Sequence, residues 1–141
     1  MIRKAKAVWH GTGRDGAGTL SSDSGVLSET PYSFKTRFEN EKGTNPEELI
    51  AAAHAGCFTM ATAAALGRAG FTPDKLATNA SLTLEQVSGN WTITTVDLQM
   101  TAKVPGIDAG KFDEIAADAK ANCPVSRVLN AKISLNAKLE M

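Results

Sequence analysis

The chain predicts an α+β fold with largely antiparallel sheet, and three observations carry that expectation. Two long strand-like runs meet at Ser88-Gly89-Asn90 as a hairpin rather than as a regular βαβ unit. An uncharged, alanine-rich run from Leu49 to Leu66 reads as one long helix. A second helical pattern after Pro105-Gly106 leads to a closing strand. With 141 residues, 43% of them hydrophobic, the chain is long enough for one core but not for two. A single domain over residues 1–141 is expected.

In chain order, Ala5 to His10 alternates as a short strand, with Ala5, Ala7 and Trp9 on one side. Gly11 to Gly18 is glycine-rich and reads as a tight hairpin turn, because Thr19 to Ser22 continues as a strand and no Gly-Lys-Ser/Thr phosphate loop follows. Tyr32 to Glu39 alternates strictly, so a strand is predicted with Tyr32, Phe34, Thr36 and Phe38 on the core face. On that register Arg37 lies on the polar face.

Asn45 is the predicted N-cap of the long helix, Pro46 its first residue and Glu48 the partner that completes a capping box, although Thr44 with Glu47 is a second register. Phe71-Thr72-Pro73-Asp74 breaks the pattern after this helix. Leu76 to Val87 and Trp91 to Val104 are the hairpin arms, and Val96, Leu98, Met100, Ala102 and Val104 share one face as core. Asp108 caps a helix running to Ala121, with Phe112, Ile115, Ala116 and Ala119 inward. Pro124 opens a short helix, and Ala131 to Leu139 closes the chain as an alternating strand.

The long helix is apolar on every side, so every side must be buried. From Pro46 to Arg68 it would extend roughly 35 Å, about the full width of a domain of this size. One small chain would strain to cover it, and a partner chain is expected. The run is also long enough to span a membrane, but Ala, Thr, Gly and His dominate it and contribute little to insertion, so no membrane is expected.

Fifteen basic and fifteen acidic residues cancel, which gives no reason to expect nucleic acid as a partner. Met1 to Lys6 is basic without an apolar run behind it, so it is not a secretory signal and a cytoplasmic location is expected. Neither Cys57 nor Cys123 lies in a CxxC or has a second Cys/His set at ligand spacing, and His10 and His54 do not complete a tetrahedral zinc site, so no metal or cofactor is expected.

The two cysteines differ in setting. Cys123 precedes Pro124 at the N-cap of a helix, where backbone N–H groups and the helix dipole favour a thiolate. Cys57 lies about three turns inside the long helix, where desolvation raises a thiol pKa. A thiol of pKa about 8.5 is only a few per cent ionised at pH 7, and lowering it by two or three units takes about 3–4 kcal/mol. One partly buried arginine in contact is of that size. Arg37 and Arg68 are both candidates on sequence alone.

Taken together, Tyr32 to Glu39 with Arg37, Gly43 to Leu49 with Glu47, Ala52-Ala53-His54-Ala55-Gly56-Cys57-Phe58 and Asn122-Cys123-Pro124-Val125-Ser126 resemble the OsmC/Ohr family, and within it the osmotically inducible OsmC branch. The resemblance spans essentially the whole chain and keeps the order of the motifs. It implies an intertwined homodimer in which sheets wrap long central helices, and a thiol peroxidase that prefers organic hydroperoxides to hydrogen peroxide. By position it makes Cys57 the peroxidatic cysteine, Cys123 the resolving cysteine, Arg37 the activating arginine and Glu47 the carboxylate that holds it. A Cys57 sulfenic acid and then a Cys57–Cys123 disulfide are implied, recycled by an external dithiol or lipoyl-type reductant.

Phe34, Phe38 and Met60 are candidate walls of an apolar pocket for bulky hydroperoxides. Glu47 and Cys57 are ten positions apart, roughly 15 Å along a continuous helix. Either that helix breaks after its first turn or the site is assembled from two chains. The other readings are a non-enzymatic redox sensor or binding protein using the same cysteines, and a hydrolase using Cys57 with His54. No triad or nucleophile turn accompanies His54, so its expected role is packing.

Overall fold

The computed structural model describes residues 1–140. These fall into two compact units, the first ending at Leu49 and the second beginning at Ile50.

The first unit holds a three-stranded antiparallel sheet of β1 (Ala5–His10), β2 (Ala17–Ser22) and β3 (Thr30–Tyr32), in that order. Gly18 stands opposite Trp9 on one side and Tyr32 on the other. A Cβ at Gly18 would run into both rings. Without one, the rings meet edge-on with centroids 5.3 Å apart. Gly11, with φ +93°, serves the turn as expected, whereas Gly18 is needed for ring packing rather than for the turn.

The strand predicted from Tyr32 to Glu39 is not formed. The chain leaves β3 at Tyr32 and enters a short helix, α1 (Phe34–Phe38). Ser33 caps it: the Ser33 hydroxyl accepts from Thr36 N–H at 3.3 Å, and Ser33 N–H donates to Thr36 Oγ1 at 2.9 Å. Phe34 and Phe38, four residues apart, share a face in either conformation, so their spacing did not distinguish strand from helix. The local capping box decided it.

The long helix, α2 (Pro46–Arg68), runs unbroken. Asn45 is its N-cap, with Oδ1 accepting from Glu48 N–H at 2.8 Å, while its amide Nδ2 donates to the Thr36 carbonyl at 3.1 Å and ties the helix start to α1. At the other end Gly70 has φ +89°. Phe71 N–H reaches the Leu66 carbonyl and Gly70 N–H the Gly67 carbonyl, the two bonds of a Schellman cap.

The second unit is a sheet of order β4-β5-β6 with helices over one face. β4 (Lys75–Val87) and β5 (Asn90–Lys103) form the expected antiparallel hairpin, with positive φ at Ser88 and Gly89. After α3 (Ala109–Asn122) and α4 (Pro124–Val128), β6 (Lys132–Leu139) returns parallel to β5. Val96, Leu98, Met100, Ala102 and Val104 are buried against Phe58 and Leu66 of α2 and Phe112, Ile115, Ala116 and Ala119 of α3. The other sheet face carries Lys75, Asn79, Gln99, Lys103, Ser134 and Lys138, as an antiparallel hairpin wetted on one side requires.

Only one stripe of α2 is buried: His54, Phe58, Thr62 and Leu66, each four residues after the last. Ala52, Ala53, Gly56, Met60 and Ala64 are exposed, so burial on all sides is not achieved within one chain. By length and composition alone α2 also passes for a membrane span.

Gly18→Ala should lower stability by about 1–3 kcal/mol, the usual cost of overpacking. Thermal unfolding monitored by Trp fluorescence would read it; an unchanged midpoint would mean that the Trp9 and Tyr32 rings move aside freely.

Candidate active site

Two groups of sequence-predicted residues are assembled, one in each unit. In the first, Arg37 Nε donates to Glu47 Oε1 at 2.6 Å. The ion pair follows from local chemistry. Ser33 turns the chain into α1 so that Arg37 lies in its last turn, and Asn45 docks the start of α2, with Glu47 in its first turn, against the Thr36 carbonyl. Glu47 is the more buried partner, with 12% of its side chain accessible against 38% for Arg37. The guanidinium also stacks over the Phe38 ring at 4.9 Å.

Trp9, Tyr32, Phe34, Phe38 and Arg37 line a cavity of about 210 Å³. Two of the three predicted pocket walls, Phe34 and Phe38, are therefore on one cavity, with rings 5.0 Å apart. Met60, 77% exposed, lines a different and more open groove with Thr59, Leu76 and Thr78.

In the second unit the junction of α3 and α4 brings the cysteines together. Cys123 ends α3 and caps α4, and Pro124 takes the first helical position, where a missing N–H costs nothing. The next two backbone N–H groups are directed at sulfur: that of Val125 donates to Cys57, and that of Ser126 donates to Cys123 Sγ at 3.4 Å. Both cysteines are free thiols, Cys57 half-buried and Cys123 buried. The Cys57 thiol lies beside that of Cys123.

Burial pushes the Cys57 thiol above its ordinary pKa; the Val125 N–H pulls it down, and the adjacent Cys123 thiol pushes it up further. Within its own unit Cys57 therefore lacks the compensation that a reactive thiolate needs. Arg68, the other candidate cation, lies in the last turn of α2, eleven residues beyond Cys57. That is roughly 16 Å of helix rise, too far along the same helix for direct contact. On the other side, α2 continues without a break from Glu47 to Cys57.

His54 lies at the buried end of the α2 stripe, and its Nε2 is 2.7 Å from Ser126 Oγ. Ser126 Oγ is in turn 3.2 Å from Cys123 Sγ. Burial lowers the imidazole pKa and keeps the ring neutral. His54 Nδ1 is buried with no hydrogen-bond partner among the described residues, so no carboxylate backs the ring as a hydrolase triad would require. Sequence reasoning had assigned His54 to packing and missed Ser126; the signal was the Cys-Pro-x-Ser spacing, which places a hydroxyl at the third position of a capped helix.

Comparison with known proteins then places the chain. A family model described as "OsmC-like protein" matches residues 39–138. The chain is 53% identical over 138 residues to Peroxiredoxin OsmC of Escherichia coli, covering 98% of this chain and 96% of that protein. It is 28% identical over 131 residues to the Organic hydroperoxide resistance protein OhrB of Bacillus subtilis, covering 92% and 94%. Among solved structures, an OsmC-like protein of unknown function from Vibrio cholerae shares the fold, with TM-score 0.78 at 16% identity over 97% of this chain and 99% of that one. The chain belongs to the family of OsmC-like proteins.

Proposed function

We propose that this protein is a cysteine-based thiol peroxidase that reduces organic hydroperoxides, and hydrogen peroxide less well. The observation that carries the reading is the meeting of Cys57 and Cys123 at the first turn of α4, where each sulfur receives a backbone N–H. The names of two relatives, a peroxiredoxin and an organic hydroperoxide resistance protein, support the same chemistry.

In the first step the Cys57 thiolate attacks one peroxide oxygen and the O–O bond breaks. The alkoxide leaves and takes up a proton as the alcohol, and Cys57 becomes a sulfenic acid. Cys123 then attacks that sulfur, water leaves, and a Cys57–Cys123 disulfide forms. An external dithiol, small or lipoyl-type, reduces the disulfide by two exchange steps.

The Cys57 thiolate needs a cation, and Arg37 held by Glu47 is the one we assign to it. Because α2 is unbroken across the ten residues from Glu47 to Cys57, roughly 15 Å, the arginine is supplied by the second chain of a homodimer. The uncovered apolar side of α2 supports such a pairing, and with it a cytoplasmic protein whose helix is covered by protein rather than lipid. The similarity to Peroxiredoxin OsmC runs over 98% of this chain and so through both units, which supports one domain over residues 1–141. The cavity beside Arg37, walled by Phe34 and Phe38, is the assigned seat of the hydroperoxide's hydrocarbon.

Single-turnover mixing of reduced protein with cumene hydroperoxide and with hydrogen peroxide should consume two thiols per chain, faster with the organic peroxide. Cys123→Ser should retain one oxidation and lose recycling by dithiol; slow, equal thiol loss with both peroxides would favour a redox sensor instead. Arg37→Ala should raise the Cys57 pKa and slow its oxidation at pH 7 roughly 100-fold, the thiolate fraction lost with a two-unit shift. An unchanged rate would remove Arg37 from the mechanism. Sedimentation at micromolar concentration should give a dimer, and a stable folded monomer would refute the two-chain site.

A further inference from the structure

The peroxidase reading uses both sulfurs but leaves unexplained a polar chain buried behind one of them. Cys123 is 1% exposed and His54 is fully buried, yet the two are joined through Ser126 Oγ, at 3.2 Å from Cys123 Sγ and 2.7 Å from His54 Nε2. Burying an imidazole and a hydroxyl costs free energy unless they are hydrogen-bonded, and Nδ1 of this ring has no partner among the described residues. Packing alone would be served as well by an apolar side chain, as at Phe58 one helical turn further along the stripe.

The direction of the chain follows from the proton count. A neutral imidazole carries one proton; on Nδ1 it would be a buried N–H with no acceptor, which native proteins avoid more strictly than an idle acceptor. The proton therefore belongs on Nε2, which donates to Ser126 Oγ. The Ser126 hydroxyl proton is then free for Cys123 Sγ, beside the Ser126 backbone N–H that already points there. Every donor in the chain points toward the sulfur of Cys123.

We propose that His54 and Ser126 form a buried donor chain that accelerates the second step of the cycle, attack of Cys123 on the Cys57 sulfenic acid. This rests on the peroxidase reading. In that step the Cys123 S–H bond and the Cys57 S–O bond break, the S–S bond forms, and the Cys123 proton leaves with the sulfenic oxygen as water. As the proton departs, negative charge develops on Cys123 Sγ inside the protein. Two donors from Ser126, its hydroxyl held in line by His54, meet that charge without water. Ser126 touches a reacting atom and is a catalytic residue; His54 acts through Ser126 and is a positioning residue.

The test separates the two steps by quenched-flow mass spectrometry of the reduced protein, with dimedone in the quench to trap sulfenic acid. Where an organic peroxide reacts slowly, excess hydrogen peroxide generates the sulfenic acid, so the condensation rate is read even if the preferred substrate is wrong. Failure of the peroxidase reading would appear separately, as Cys57 oxidation no faster than that of a free thiol. For Ser126→Ala, sulfenic acid should form at the wild-type rate within about twofold, and its conversion to disulfide should slow about tenfold or more, the rate equivalent of one hydrogen bond to a charged group. His54→Phe should give the same pattern more weakly, and Ser126→Thr, which keeps the hydroxyl, should restore condensation. Disulfide formation at the wild-type rate in Ser126→Ala, equal slowing of both steps, or failure of Ser126→Thr to restore the rate would overturn the proposal.

Discussion

A proline at the first position of a five-residue helix decides how the two sulfurs of this protein are held. Pro124 has no N–H to satisfy, so the first turn of α4 offers its donors from the next two residues, and both go to sulfur. Cys123 is at once the end of α3 and the cap of α4, and its carbonyl accepts the first α4 hydrogen bond, from Arg127 N–H at 3.1 Å. The backbone thus holds Cys123 in place from both sides. Cys57 comes to it from α2, which is anchored in the same core by Phe58 and Leu66.

That arrangement creates an electrostatic difficulty. One N–H is not enough to offset the desolvation of Cys57 and the thiol beside it, and the net effect is a raised pKa. In the other unit Arg37 and Glu47 form an ion pair, a cation held by a carboxylate and stacked on Phe38 at the edge of an apolar cavity. The buried His54 and Ser126 belong to the other sulfur, and they show that the two cysteines are supported by different groups.

Most of the fold was legible because its signals are local and redundant. The hairpin of β4 and β5, the helix N-caps at Asn45 and Asp108, and the inward face of α3 each rest on periodicity or capping within a few residues. The segment from Tyr32 to Glu39 was misread because a spacing of four satisfies both a strand and a helix, and the Ser33–Thr36 box outweighed the alternation. Gly18 was assigned to the turn, since nothing near it in sequence reveals that Trp9 and Tyr32 converge on it from neighbouring strands.

For the site, the sequence by itself determined the residue types and their motif order: two thiols, an arginine, a carboxylate, and a cysteine set at a helix cap by the following proline. These are local properties, written in spacing and capping chemistry. Only the tertiary structure decided that Cys57 meets Cys123 across 66 residues of chain, and that His54 reaches Ser126 across 72. It also decided that the face of α2 turned inward is the one carrying His54 and Phe58. The physical reason is that an apolar helix has no preferred side of its own; the side that becomes core is chosen by the sheet and helices packed against it.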